Sequence, residues 1–318
     1  GFDPLAAMEE ARSWPTAVSR DLGMRTVARE WAASGRYLSA VNYYQSLDDA
    51  GMRSMLLGPL LRGWAQSGDV DGALDRARVA WERIDQPEAA VDGFARGALA
   101  VLGPEAMAAR ISELEGTGTD DFEKRLILAS IGLLANERPD QAARLYSHFA
   151  GDSPPGWLDG GLALIASPWS VRDPLAAIEW LLEEPDGPQR TLELKNAVRA
   201  WTLQDLGEAW GWWQDQASDA EARVVERPVL RSILLAPALR ALARVRPAEA
   251  AQWVDQVGQP AGRQVLVQRI AHFWAQRDET AALDWARGLE LAPEDSVAVE
   301  AAIANGVAKA AKSGALSQ

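Results

Sequence analysis

Alanine and a large apolar residue recur along the chain at a fixed separation. Counting from a residue that we call the anchor, alanine always follows four positions later, and a large apolar residue usually follows three positions after the alanine. The anchors are Asp3, Arg36, Asp69, Pro104, Arg138, Asp173, Asp205, Arg246 and Asp278. Because residues three or four apart share one helical face, the pattern predicts a helix that packs closely on a neighbour through its alanine, and we expect all nine alanines to be buried at such crossings. We call it the second helix.

Another helix is predicted before most anchors, and we call it the first helix. A large apolar residue lies four or five positions before the anchor at Trp31, Trp64, Leu134, Trp169, Trp201, Leu242 and Trp274. The short breaks between the helices include Ser34-Gly35, Gly103-Pro104 and Asp173-Pro174. Proline is tolerated in the first turn of a helix and aspartate caps its N-terminus. Strand patterns of period two are missing from the sequence, so we expect an all-α fold of about eight helical hairpins with a period near 34 residues.

The segment from Trp31 to Tyr44, with its glycine-containing turn, Ala40 and Tyr43, resembles the middle of a tetratricopeptide repeat, and so does Trp64 to Ala73. Later copies replace the glycine turn by Asp-Pro or Arg-Pro, so the resemblance is to a divergent member, and HEAT-like or other superhelical arrays are the alternatives. The resemblance implies a right-handed α/α superhelix, or solenoid. It also implies a concave surface, lined mainly by first helices, that holds a peptide or a partner protein.

The spacing of anchors is 32 to 35 residues except between Asp205 and Arg246, where it is 41. We therefore predict one continuous solenoid with an N-terminal run of repeats at 1–216, an insertion or bend at 217–228 and a C-terminal run at 229–318. The chain opens on a second helix, and Ala310 to Gly314 resembles the end of a first helix without a following anchor. We expect a piece of a longer protein whose missing part carries a membrane anchor or a signal.

Composition narrows the class of partner. A formal charge of -13 would repel nucleic acid, and no apolar run in this segment is long enough to span a membrane. The absence of cysteine excludes disulfides and thiolate metal sites, and it suits an oxidising compartment. Together with many arginines and alanines, this favours a bacterial periplasmic or membrane-anchored soluble domain, with the cytoplasm as the alternative.

The sequence shows no pattern for catalysis. The two histidines, His148 and His272, have no metal-ligand companions at helical spacing, and no phosphate-binding glycine loop is present, so we predict neither a metal nor a cofactor. Paired carboxylates could support a glycan-active helical toroid, and the candidate pairs are Asp120 with Asp121, Glu183 with Glu184, and Glu294 with Asp295. All lie at predicted helix ends, where acids commonly cap. A glycan-binding or glycan-processing protein of the bacterial cell envelope is the alternative to a non-catalytic interaction scaffold.

Five residues are candidates for binding a peptide or protein partner. Most tryptophans fall at the two recurrent large positions and are expected in the core. No other copy has tryptophan at the positions of Trp210 and Trp213, so we expect these two at the surface, with Trp210 at the edge of the packed face. Arginine recurs fifteen residues before the anchor at Arg190, Arg231 and Arg263. Such arginines could pair with neighbouring carboxylates or clamp a carboxylate of a ligand. We expect these five residues to form a groove for a partly acidic partner segment.

Overall fold

A computed structural model describes residues 2–82, 88–114, 120–151, 154–218, 228–257 and 260–315, without the side chains of 216–218, 228–234, 260–261 and 313–315. The regular structure of these residues is helical, and they contain no strand, which confirms the all-α class. The chain divides into two compact units, Gly1–Pro168 (unit 1) and Trp169–Gln318 (unit 2). Within the described part, no helix has the length and apolar character needed to cross a bilayer.

Unit 1 is built from pairs of consecutive helices. They are α1 (Pro4–Ser13), α2 (Ala17–Trp31), α3 (Tyr37–Gln45), α4 (Ala50–Gln66), α5 (Val70–Trp81), α6 (Glu88–Ser112), α7 (Asp121–Glu137), α8 (Pro139–Ala150) and α9 (Gly161–Arg172), whose last turn enters unit 2. A π-helical turn, Ala32–Arg36, joins α2 to α3, and a 3-10 turn, Gly156–Leu158, precedes α9. The first helices also pack on one another, α2 on α4 and α4 on α6.

Unit 2 repeats this organisation. Its helices are α10 (Pro174–Glu183), α11 (Pro188–Gln204), α12 (Leu206–Ser218), α13 (Pro228–Val245), α14 (Pro247–Trp253), α15 (Pro260–Ala275), α16 (Glu279–Arg287) and α17 (Pro293–Ala315), with a 3-10 turn at Val254–Gln256. Here α11 packs on α13, α13 on α15 and α15 on α17. Of the insertion expected at 217–228, residues 219–227 lie outside the described part, and the boundaries of 1–216 and 229–318 stay a prediction.

The predicted breaks fall where helices end or bend. Gly35, Gly68 and Gly103 adopt φ of 80°, 101° and 76°, in the left-handed region where glycine avoids a steric penalty. Asp173 caps α10 by accepting from the backbone N–H of Ala176 at 3.1 Å, as expected for aspartate before proline. At Gly103 the chain bends inside α6, so that the residues from Pro104 onward act as the second helix of that pair.

The alanine rule holds in most copies. Ala40, Ala73, Ala142, Ala177, Ala209, Ala250 and Ala282 are buried, whereas Ala7 and Ala108 are only half-buried, so the expectation that all nine are buried is wrong. The bend at Gly103 moves the register by one residue, and Met107 takes the buried position in place of Ala108. In α1, Met8 and Ala11 are the buried residues next to Ala7.

The two recurrent large positions face each other across four helix pairs. Ring centroids lie 5.4 Å apart for Trp31 and Tyr43, 5.7 Å for Trp169 and Trp180, 5.5 Å for Trp201 and Trp212, and 5.7 Å for Trp274 and Trp285. Aromatic pairs at this distance stabilise packing beyond the area that they bury. An aromatic ring at the end of a first helix therefore packs against one in the second helix and stabilises the contact between the two helices.

Candidate functional site

Trp210 and Trp213, expected at the surface, lie in the interior of unit 2. They are 2% and 1% exposed, and the Trp210 ring meets Trp253 of α14 edge-on at a centroid distance of 5.2 Å. Their positions relative to the anchor are buried in other copies as well, where smaller or different side chains occupy them. Val41 and Ile178 correspond to Trp210, and Tyr44 and Leu181 correspond to Trp213. The expectation that Trp210 presents a face to solvent is therefore corrected, because it lies between two second helices.

Arg190 is also interior, with 1% exposure. Its Nε donates to the carbonyl oxygen of Leu181 at 2.5 Å and its Nη2 to that of Leu182 at 3.1 Å, while Nη1 pairs with Asp186. These carbonyls belong to the last turn of α10, where a cation satisfies free acceptors and interacts favourably with the helix dipole. Arg190 thus caps the C-terminus of α10, and its guanidinium is buried.

Arg263 makes a local ion pair. Its Nη2 and Nε donate to the same carboxylate oxygen of Asp255, at 2.6 Å and 3.0 Å. The side chain of Arg231 lies outside the described residues. Arg190 and Arg263 are thus each held by acceptors that precede their own helix, and both tryptophans are buried. Among the described residues, the predicted groove therefore has neither an exposed tryptophan nor an arginine without a partner.

A different set of arginines meets in unit 1. A groove of about 670 Å³ runs over α2, α4 and α6, and we call it the arginine groove. Its arginines are Arg25 and Arg29 on α2, Arg62 on α4 and Arg96 on α6. The rest of the lining includes the apolar side chains of Leu22, Met55 and Pro59 and several polar residues. The face is cationic although the chain is acidic overall.

Close packing of the first helices places these arginines near one another. A Cβ on Gly97 would lie 2.5 Å from the carbonyl oxygen of Arg62, and a Cβ on Gly63 would collide with that of Arg29. The backbones approach as closely as glycine allows at each contact. Since Arg62 precedes Gly63 and Arg96 precedes Gly97, each arginine lies next to a point where two helices cross closely.

The charges in the groove are incompletely neutralised. Burial lowers the pKa of Arg62, and the positive charges of Arg29 and Arg96 lower it further. The buried Nε of Arg62 has no hydrogen-bond partner, and within the described part of the chain Arg25, Arg62 and Arg96 make no ion pair. Asp92, the acid of the lining, is held by Arg125 of α7 at 2.7 Å. The geometry leaves three guanidinium groups available to an anion.

Sequence reasoning missed these arginines, although a signal for them exists. In four copies arginine stands two residues before the large residue that closes the first helix: Arg29 before Trp31, Arg62 before Trp64, Arg199 before Trp201 and Arg240 before Leu242. The recurrence fifteen residues before the anchor drew attention to residues at the start of the first helix instead. Of these, Arg190 and Arg263 are held by acceptors that precede their own helix.

Three of the carboxylates considered for glycan chemistry have described side-chain partners: Asp120, Asp121 and Asp295. Asp120 caps α7 by accepting from the N–H of Phe122 at 2.9 Å and pairs with Arg78. Asp121 pairs with Lys124 at 2.8 Å, and Asp295 in the first turn of α17 accepts from Gln264. Asp120 thus combines a helix cap with a contact to α5, and Asp295 contacts α15.

His148 and His272 each have one ring nitrogen 3.2 Å from a backbone carbonyl oxygen, of Ser112 and Ala302 respectively.

Comparison of the chain with protein-family models, with curated proteins and with solved structures finds no match.

Proposed function

We propose that the chain is a non-catalytic binding scaffold whose arginine groove holds an acidic segment of a partner protein. The observation that carries the proposal is that Arg25, Arg62 and Arg96 lie on one face of an otherwise acidic protein and make no ion pair with any described residue. Elsewhere in unit 1 arginines pair across helices, as Arg78 does with Glu123 at 2.9 Å and Arg138 with Glu105 at 2.8 Å. Leaving three like charges together costs stability unless a ligand neutralises them.

Tetratricopeptide-like repeats in each unit are part of this proposal. Its support is the recurring contact between consecutive helices, the packing of first helix on first helix, and the aromatic pair repeated across helix pairs. Stacked helical pairs of this kind contact only their neighbours and form extended binding faces. The arginine groove lies on the face of the first helices, which is the face that such repeats offer to peptides.

The dimensions of the groove suggest the form of the ligand. Packed helices are about 8–10 Å apart, so three successive helices span roughly 16–20 Å, the length of five or six extended residues. Arg25, Arg62 and Arg96 supply one arginine on each helix. A polyproline II segment repeats about every 9 Å, or three residues. We therefore expect acidic residues at every third position, with small apolar residues between them.

Fluorescence anisotropy would test the proposal with a fluorescein-labelled nine-residue peptide that has glutamate at every third position and alanine or proline elsewhere. We expect the full chain to bind this probe, with an affinity that falls as salt is added. The double variant Arg62→Gln, Arg96→Gln should weaken binding about tenfold or more, since charge-assisted hydrogen bonds contribute about 1.5–3 kcal/mol each.

Two controls make the result specific. Arg138→Gln removes one positive charge of unit 1 that already pairs with Glu105 and Asp140, and it should leave binding unchanged. A peptide of the same composition with its glutamates adjacent should bind more weakly than the spaced one. Equal binding by the double variant and by the unaltered chain, at matched helical circular dichroism, would show that the groove is not the site.

A further inference from the structure

Unit 2 has its own group of arginines, at the corresponding place on its first helices. Arg199 on α11, Arg240 and Arg244 on α13, and Arg269 on α15 line one cavity of about 280 Å³, which we call the arginine pocket. Leu203, Pro237 and Ala241 complete its lining. It is less than half as large as the arginine groove of unit 1, and as many arginines line it.

The arginine pocket contains no counter-charge of its own. None of the described residues that line it is acidic, and within that part of the chain its four arginines make no ion pair. Desolvation lowers the pKa of Arg240, and the charges of Arg269 and Arg199 lower it further. All four side chains are exposed, so a ligand can reach them from solvent. A neighbouring cavity shares Arg244 and Arg269 and adds His272 and Lys309, again without an acid.

The number of cations around a small volume indicates the charge of the ligand. A single carboxylate would neutralise one of the four guanidinium groups. A phosphate monoester carries a charge of about -1.5 to -2 near neutral pH and offers three acceptor oxygens. Guanidinium donates to such oxygens in a planar, two-toothed geometry that an ammonium group cannot reproduce. A compact dianion therefore matches the pocket better than an extended acidic chain does.

We propose that the arginine pocket of unit 2 binds a phosphate monoester, with Arg199, Arg240 and Arg269 as its ligands. The group is carried either by a phosphorylated side chain of a partner protein or by a small phosphorylated molecule, and the phosphate chemistry is the same in both cases. This site is separate from the arginine groove and does not depend on the acidic segment proposed there.

The test uses the full chain and a fluorescein-labelled peptide of glycine and alanine with one central phosphoserine. We expect anisotropy titrations to show binding of this probe, and at least tenfold weaker binding when glutamate replaces the phosphoserine. Competition by free O-phosphoserine distinguishes the two sources. If the free compound competes as well as the unlabelled phosphopeptide, the phosphate group alone accounts for binding. If the phosphopeptide competes far better, the ligand is a phosphorylated protein segment.

Variants locate the site. Arg240→Gln should weaken phosphopeptide binding at least tenfold, and Arg240→Lys should restore only part of the loss because the ammonium group lacks the fork. Arg246→Gln is the matched control, since Arg246 already pairs with Glu249 at 3.0 Å outside the pocket. The double variant Arg62→Gln, Arg96→Gln of unit 1 should leave phosphopeptide binding intact, so this test and that of the arginine groove can fail independently. Equal affinity for the glutamate peptide, or no effect of Arg240→Gln, would overturn the proposal.

Discussion

Asp69 connects three elements of unit 1 through one carboxylate. It caps α5 by accepting from the backbone N–H of Gly72 at 3.0 Å, and it accepts from the indole Nε1 of Trp64 at 2.8 Å. The Tyr37 ring stacks on Trp64 at a centroid distance of 4.5 Å. The hydrogen bond from Trp64 lowers the pKa of Asp69, with further lowering by Gly72 and Tyr37 against the opposing effect of desolvation.

We expect Asp69→Ala to lower the free energy of unfolding by about 1–2 kcal/mol at pH 7, because both the helix cap and the indole acceptor are lost. A carboxylate whose pKa is lowered by folding contributes stability above its unfolded pKa of about 3.9, and this contribution disappears as the pH falls through the folded pKa. The difference between variant and unaltered chain should therefore stay constant from about pH 7 to pH 5 and shrink below about pH 4. Urea unfolding followed by circular dichroism measures it.

Asp49 provides the comparison. It caps α4 by accepting from the N–H of Met52 at 3.1 Å, and none of the described indole groups donates to it. Asp49→Ala should therefore cost about 1 kcal/mol, the value of a cap alone. If Asp49→Ala proves as costly as Asp69→Ala, the Trp64 hydrogen bond contributes no measurable stability.

At single positions, sequence reasoning succeeded where one helix face decides burial and failed where a neighbouring element does. Ala177 and Ala209 are buried because their register places them at a helix contact. Trp210 was expected at the surface, and it is buried because Trp253 of another second helix meets its ring. Arg190 is buried because the end of α10 supplies free carbonyl oxygens. The burial of Trp210 and that of Arg190 depend on contacts between elements, which the repeat register does not specify.

Among the elements, several first helices of unit 1 approach each other closely at glycines. A Cβ on Gly58 would lie 2.6 Å from the carbonyl oxygen of Ala89, and a Cβ on Gly93 would collide with the backbone of Gly58. The alanines of the second helices suggested close packing from the sequence, but these glycines did not, because a glycine within a helix weakens the helical pattern. The spacing of the arginine groove depends on them.

We expect Gly97→Ala and Gly132→Ala to change stability in opposite directions. Alanine at 97 would overlap Arg62 and Ala65, at 2.5 Å and 2.8 Å, whereas alanine at 132 would meet only the Leu164 methyl groups at 3.8 Å and 3.9 Å. Overpacking costs about 1–3 kcal/mol. This exceeds the roughly 0.5–1 kcal/mol by which alanine stabilises a helix relative to glycine. Thermal melts should show a lower Tm for the first variant and a higher one for the second. A stabilising Gly97→Ala would contradict the close approach of α4 and α6.

Over the whole chain, the sequence predicted the all-α class and most of the register, because both follow from local periodicity. It did not predict a division at Pro168, since α9 continues through that position and no change of composition marks it. Nor did it predict which arginines of the described part make no ion pair, although 45 acidic residues oppose 32 basic ones. Pairing depends on which helices face each other, as with Arg125 of α7 and Asp92 of α6.

The last prediction concerns how far a local change spreads. Where each helix contacts mainly its neighbours, stability is a sum of local terms, and a destabilised contact opens its own part of the chain first. Gly97→Ala should therefore speed hydrogen exchange in α2, α4 and α6 and leave α15 and α17 unchanged. Gly306→Ala, where the new Cβ would collide with the His272 carbonyl and lie 3.2 Å from Ala275, should do the reverse. Peptide-resolved mass spectrometry measures both, and faster exchange throughout both units in either variant would indicate that the chain unfolds as one cooperative block.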